Sequence, residues 1–143
     1  MSSVSSIEKL YRAYKDKAHI YVIYIREAHP LGGPLRTPPQ FQITDPKTLA
    51  ERQKVAEQFA EQVKLSVPIL VDTIDDQVER AYAGWPDRVY ILDRDGQIVH
   101  KGDEGPRGFK PSLEQAPGIL DELLRANSRR VRSSGQPGKA AKP

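Results

Sequence analysis

A short stretch near the N-terminus limits the fold of this chain more than any other feature. From His19 to Ile25 the sequence is an almost continuous run of β-branched and aromatic residues. Such a run is typical of a strand that is buried on both faces, and strands of this kind occur in parallel sheets covered by helices. We therefore expect an α/β fold in which this strand lies within a helix-covered sheet.

The remaining sequence alternates helical and strand patterns. A first helix is indicated by Ser5–Glu8, which has capping-box spacing, and by apolar residues at Ile7, Leu10, Tyr11 and Tyr14. A second helix is predicted from the capping box Thr48–Glu51 to Val63, with an apolar stripe that begins at Leu49, and a strand follows at Val67–Asp72. A short helix is predicted over Asp75–Ala83, with Val78, Ala81 and Tyr82 pointing inward. The last elements are the strands Arg88–Asp93 and Ile98–Lys101, joined by an Asp95-Gly96 turn, and a helix Ser112–Arg125 that starts or kinks at Pro117. This order predicts a sheet that is parallel at one side and antiparallel at the other.

Composition limits the chemistry available to the chain. It has 143 residues and no cysteine, so it fits one domain without disulfides, cysteine-bound metals or a catalytic thiol of its own. The net charge is +3, but residues 127–143 hold five basic residues and no acid, and removing them leaves −2. We expect a domain over residues 1–126 and a disordered basic tail over 127–143, with no nucleic-acid partner. No signal or transmembrane segment is seen, so the chain as written is expected in the cytoplasm, although these residues leave its localisation undefined.

Two motifs carry a resemblance to a known family. Glu27-Ala28-His29-Pro30 follows the first strand and precedes a long proline-rich loop, and Gly84-Trp85-Pro86 precedes the strand at Val89. Together with the segment Gly105–Phe109, these features resemble the iodothyronine deiodinase family of the thioredoxin-fold superfamily, over roughly residues 4 to 124. The resemblance implies a thioredoxin-like mixed sheet flanked by helices, and it places Pro86 where that superfamily has a cis-proline.

The chain departs from the family pattern at its start. Family members carry a selenocysteine or cysteine at the end of a strand that precedes the first helix, whereas this sequence begins just before that helix. We therefore expect an α/β thioredoxin-like fold that is incomplete at the N-terminus, with a gap between the strands at Ile20 and Val89. A selenocysteine codon misread as a stop would explain the missing strand and nucleophile. The chain as given is expected to be inactive.

The resemblance also implies roles for several residues. His29 would donate or relay a proton, and Glu27 would orient it or bind substrate. Arg26, Trp85 and Pro86 would bind substrate, and the loop Leu31–Pro46 would form one wall of the pocket. The implied partners are an aromatic halide and a thiol reductant, with a homo-oligomer possible through an open strand edge. No cofactor and no metal are expected: Asp72, Asp75 and Asp76 lack the pattern of a calcium loop, and Thr73 and Asp75 are better explained as helix caps.

Other interpretations stay open from the sequence. His29 could be an ordinary loop residue, Arg26 and Glu27 a solvated pair, and Trp85 a packing residue. At the level of function, the alternatives to a truncated dehalogenating oxidoreductase are a truncated peroxiredoxin-like or thiol-reductase-like enzyme, and a redox-inactive thioredoxin-fold binding protein.

Overall fold

The order of elements is the predicted one, with shorter strands and a longer last helix. A computed structural model of the protein describes residues 3–33 and 42–134. The middle of the predicted pocket wall, residues 34–41, and residues 135–143 of the predicted tail lie outside the described residues. The elements are α1 (Ser3–Tyr14), β1 (Val22–Tyr24), α2 (Leu49–Val63), β2 (Ile69–Val71), α3 (Gln77–Tyr82), β3 (Tyr90–Leu92), β4 (Ile98–Lys101) and α4 (Pro106–Ser134).

The described strands form two separate sheets. β1 pairs in parallel with β2, with Ile23 opposite Leu70, and β3 pairs antiparallel with β4 around the predicted Asp95-Gly96 turn. The predicted parallel and antiparallel sides are therefore both present. Within residues 3–33 and 42–134, no ladder joins β1 to β3, so the strands do not form one continuous mixed sheet.

The prediction that the first strand is buried on both faces is wrong. On one face Tyr24 packs against Phe59 of α2, with ring centroids 6.0 Å apart. On the other face Ile23 and its partner Leu70 remain 43% and 48% exposed. An apolar run indicates that a strand can be buried on both faces, but burial also requires a covering layer, and here only the α2 side is closed.

Side-chain caps fix the beginnings of two helices. The capping box of α2 is confirmed, since Thr48 accepts a bond from the Glu51 amide and the Glu51 carboxylate accepts one from the Thr48 amide. At α3 the prediction of Thr73 and Asp75 as caps is largely wrong. The buried Asp72 carboxylate accepts bonds from the amides of Thr73, Val78 and Glu79, whereas the Thr73 hydroxyl group accepts a single long bond from the Gln77 amide.

Two further helix predictions also need correction. Glu8 does not close a capping box in α1, because α1 begins earlier and the Glu8 carboxylate accepts bonds from the amide and hydroxyl of Ser66. In α3 the buried residue is Glu79, while Ala81 and Tyr82, predicted to point inward, are exposed. Leu49, predicted to start the apolar stripe of α2, is also exposed.

The last helix starts earlier and ends later than predicted. α4 begins at Pro106, contains Pro111 and Pro117, and continues past residue 126 to Ser134. Its first turns lie very close to the segment that follows β4: a Cβ at Gly108 would overlap the carbonyl group of Asp103, and one at Gly102 would overlap the Ser112 hydroxyl. Because glycine has no side chain, the backbone of α4 can pack closely against this segment, and the helix can begin earlier than predicted.

α4 also closes the core. Tyr14 at the end of α1 is buried and bonds α4, and the other buried apolar residues are Ala56, Val67, Ile91, Leu113 and Ala116. Among the described residues, no helix combines the length and the apolar character that crossing a membrane requires.

Candidate functional site

Three segments meet at the carboxyl end of β1. Gly84 lies beside Ile25, since a Cβ placed on it would be 3.7 Å from the Ile25 Cδ1 atom. A Cβ on Gly105, just before α4, would lie 4.0 Å from the Pro86 Cγ atom. The Trp85–Pro86 bond is cis, as the family resemblance implied for this position. The carboxyl end of a parallel strand is where α/β sheets commonly bind ligands, so this corner is the candidate site.

Arg26 and Trp85 contact each other at this corner. The Arg26 guanidinium carbon lies 5.2 Å from the centre of the Trp85 ring, within the range of a cation–π contact. Arg26 Nε also lies 2.7 Å from Glu79 Oε2 of α3. The Arg26 side chain is 47% exposed and the Glu79 side chain 11%. The carboxylate therefore binds the guanidinium on its protein side, and part of the arginine side chain remains accessible to solvent. Arg26 therefore pairs with Glu79, and the predicted solvated pair with Glu27 is not formed.

Glu27 lies in a different electrostatic environment from its neighbour. Burial is the main cause that raises the pKa of Glu27, and the negative charge of Asp45 adds to it. The charges of His29 and Arg52 act in the opposite direction and lower that pKa. Glu27 is partly buried and His29, two residues further along the chain, is exposed.

A buried arginine lies beneath this acid. Arg52 of α2 is 2% exposed, its Nη1 atom donates to the Thr73 carbonyl group at 2.7 Å, and its Nη2 atom lies 2.8 Å from Asp76 Oδ1. Because a buried charge is costly unless it is paired, these contacts fix Arg52 at the start of α3. The same arginine lowers the pKa of Glu27, so it links α2 and α3 to the end of β1.

The sequence analysis found some of these residues and missed others. The structure brings Arg26, Trp85 and Pro86 to one corner. The missed residues are Asp45, Arg52 and Glu79. A signal existed for Arg52, which stands at helical spacing between Leu49 and Ala56 on the apolar stripe of α2. No local pattern separates Glu79 from the other acids of its segment.

The segment that contains the cis-proline also carries buried polar atoms that lack a protein partner. Trp85 Nε1, Asp87 Oδ1 and Arg88 Nε are buried and make no hydrogen bond to any described residue. Burial is the main cause that raises the pKa of Asp87, against a smaller lowering by the Gly105 amide. Most buried polar atoms in proteins are satisfied, so this group marks a place where water or a ligand can bond. The described residues contain no group of three or more metal-ligating side chains.

Comparisons with known proteins identify the family of this chain. The family model described as iodothyronine deiodinase matches residues 1–116. The chain is 31% identical over 112 residues to a thyroxine 5-deiodinase of Sparus aurata, covering 78% of this chain and 41% of that protein. It is 30% identical over 119 residues to a type I iodothyronine deiodinase of Xenopus laevis, covering 83% of this chain and 45% of that protein. The chain thus spans less than half the length of these relatives, but the family match extends over most of its residues, and it belongs to the iodothyronine deiodinase family.

Proposed function

We propose that this chain is part of an oxidoreductase that removes halogen reductively from iodinated or otherwise halogenated phenols. The observation that carries the proposal is the corner at the carboxyl end of β1, where Arg26 lies against Trp85 beside the cis-Pro86, with Glu27 and His29 following Arg26 in the chain. Proton transfer and substrate binding would then occur side by side. The family match supports the same reaction class.

The proposed reaction needs a selenolate or thiolate that attacks the halogen atom. The carbon–iodine bond breaks, the carbon takes up a proton, and a selenenyl or sulfenyl iodide remains on the enzyme. Two thiols of an external reductant then return the selenolate or thiolate and release a disulfide, iodide and two protons, one of which replaces the proton taken up by the carbon. His29 would supply the proton to the carbon, since histidine changes charge near neutral pH, and Glu27 would orient it.

This sequence holds no cysteine, so we propose that the nucleophile lies on a segment outside these 143 residues. The separation of the two sheets supports that proposal. β1 is paired on one edge by β2 and β3 on one edge by β4, and no described strand lies between them. A strand between β1 and β3 would complete a thioredoxin-like sheet, and it would bring a residue at its carboxyl end to the corner beside Pro86.

A direct test compares two proteins made from the same gene. One is the chain as printed, and the other is the product read through the codons upstream of Met1, with any selenocysteine retained. Iodide release from 2,6-diiodophenol in the presence of dithiothreitol is measured by ion chromatography. We expect turnover only in the longer product, and a decrease of about 10²- to 10⁴-fold in its kcat with His29→Gln.

Three outcomes would contradict the proposal. Iodide release by the cysteine-free chain would show that no selenolate or thiolate is needed. A longer product that binds aromatic ligands but releases no iodide and reduces no peroxide would support the redox-inactive binding protein, whereas peroxide reduction without iodide release would support the peroxiredoxin-like alternative.

A further inference from the structure

Two residues hold the Arg26 guanidinium in place, and some of its N–H donors remain available to a ligand. Glu79 contacts its Nε atom and the Trp85 ring lies against it. In the part of the chain that the structure describes, the terminal N–H groups of Arg26 donate to no residue. Because the side chain is about half exposed, those groups can bond a molecule that arrives from solvent.

The geometry of these contacts selects one kind of ligand. With Nε engaged by Glu79, the two terminal nitrogens remain as a pair of parallel donors. Such a pair matches the two oxygens of a carboxylate, and hydrogen bonds between a guanidinium and a carboxylate are among the stronger ones in proteins. Trp85 and Glu79 both contact the guanidinium in the free protein, so less side-chain freedom is lost when a ligand binds.

The surroundings favour an aromatic acid. The ring of Trp85 and the cis-Pro86 provide apolar surface next to the cation, and the buried Nε1 atom of Trp85 has no acceptor among the described residues. An aromatic ring that carries an anionic group would meet both an apolar face and a charge at this corner.

We propose that Arg26, anchored by Glu79 and Trp85, is the group that recognises an anionic substituent of the substrate, so that the site prefers aromatic carboxylic acids to neutral aromatic molecules. The inference rests on the proposed function only in placing the substrate at this corner. Glu79 offsets part of the positive charge, and solvent screens it further, so the preference is a matter of several-fold rather than orders of magnitude.

The chain contains a single tryptophan, and it lies in this site. Its fluorescence therefore reports on binding in the protein as printed, with neither a nucleophile nor a halogen present. The probes are 4-hydroxybenzoate and 4-hydroxybenzamide, which have similar shapes and differ in the charge of one group. Both are titrated at pH 7 and constant ionic strength into the parent chain and into Arg26→Gln, Arg26→Lys and Arg94→Gln.

We expect the parent chain to bind the carboxylate about five times more tightly than the amide. Arg26→Gln should bind both probes equally, and Arg26→Lys should keep a smaller preference because a lysine keeps the charge without the paired donors. Arg94, on the exposed β3–β4 turn, is the matched control for a lost positive charge, and its variant should keep the full preference.

The inference is overturned if the parent chain binds both probes equally, if it binds neither, or if Arg26→Gln keeps the preference. Circular dichroism and Tm of each variant verify that the fold is intact, which is expected because Arg26 and Arg94 are both exposed. The titration is independent of iodide release. Carboxylate preference without dehalogenation would refute the proposed function alone, and dehalogenation without that preference would refute this inference alone.

Discussion

The hydroxyl group of Tyr14 lies 2.9 Å from Asp121 Oδ1 and 3.1 Å from the carbonyl oxygen of Pro117. One buried side chain therefore joins the end of α1 to the middle of α4, across more than 100 residues of sequence. The Pro117 carbonyl group belongs to α4, a helix that contains two prolines, Pro111 and Pro117, neither of which has an N–H group to donate. α1 is attached to the fold largely through this contact and through the bonds from Ser66 to Glu8.

Removing the Tyr14 hydroxyl group should weaken this attachment. We expect Tyr14→Phe to lower the free energy of unfolding by about 1–2 kcal/mol, since it removes the single hydroxyl hydrogen that lies between a carboxylate and a carbonyl acceptor. Urea denaturation followed by circular dichroism measures the change. Tyr11→Phe, on the same helix and with a hydroxyl group that bonds none of the described residues, should change it by less than about 0.5 kcal/mol. Equal effects of the two variants would mean that the Tyr14 bonds contribute nothing.

Asp72 and Asp75 provide a matched pair that tests which acid caps α3. Asp72→Asn should destabilise the protein by about 1–3 kcal/mol, because its buried carboxylate accepts three backbone amides and the amide group replaces one acceptor by a donor. Asp75→Asn should cost less than about 0.5 kcal/mol, since that side chain is exposed and its bonds, from Thr73 and Gln77, are to exposed neighbours. Thermal unfolding of both variants makes the comparison. A larger loss of stability in Asp75→Asn than in Asp72→Asn would support Asp75 as the cap of α3, as the sequence predicts.

Two glycines of α4 should respond in opposite directions to alanine. Gly108→Ala should cost about 1–3 kcal/mol or prevent folding, because the new Cβ would overlap the Asp103 carbonyl group. Gly118→Ala should stabilise the protein by about 0.5–1 kcal/mol, since its Cβ would meet no atom within 4 Å and alanine favours the helix. Guanidinium chloride titrations of the two proteins give both values. A stabilising Gly108→Ala would show that the start of α4 is not packed as described.

Glu27 and Glu51 should give stability–pH curves of opposite slope. The pKa of Glu27 is raised in the folded protein, mainly by burial, so its favourable contribution is present below the unfolded pKa of about 4.3 and is lost as pH rises through the folded pKa. Glu27→Gln has no carboxyl group to ionise, so it does not lose stability in this way as pH rises. Its stability relative to the parent chain should therefore increase with pH across the weakly acidic range.

The pKa of Glu51 is lowered, first by the Lys47 amide and then by the Thr48 amide, so its contribution is present above the unfolded pKa and is lost as pH falls. Glu51→Gln should therefore lose stability relative to the parent chain as pH rises. Unfolding free energies of the three proteins measured at intervals from pH 3 to 7 provide the test. Slopes of the same sign for the two variants would contradict the assignment of Glu27 to a buried, acid-flanked position.

Local chemistry accounts for what the sequence could predict. The α2 capping box and the Asp95-Gly96 turn depend on residues within a few positions of each other, and both are present as predicted. The cis-proline at position 86 was expected from a family pattern, and it is present. The sequence could not predict that Glu79 would hold Arg26, because their contact depends on how α3 lies against the end of β1. The exposure of Ile23 was missed for a related reason: a strand pattern contains no information on whether a second layer covers it.

The one-sided pairing of β1 has a consequence for amide hydrogen exchange. The Val22 amide donates to the Pro68 carbonyl group, and the Tyr24 carbonyl group accepts from the Asp72 amide, so these two residues direct their backbone groups toward β2. Backbone groups of neighbouring residues in a strand point to opposite edges, which directs the Ile23 amide away from β2, where no described residue accepts it. Along three consecutive residues, exchange with solvent should thus be slow, fast and slow. Any extended segment that comes to lie on that edge would slow the middle amide and leave the other two unchanged, which makes one backbone proton a reporter of whether the space between the sheets is filled.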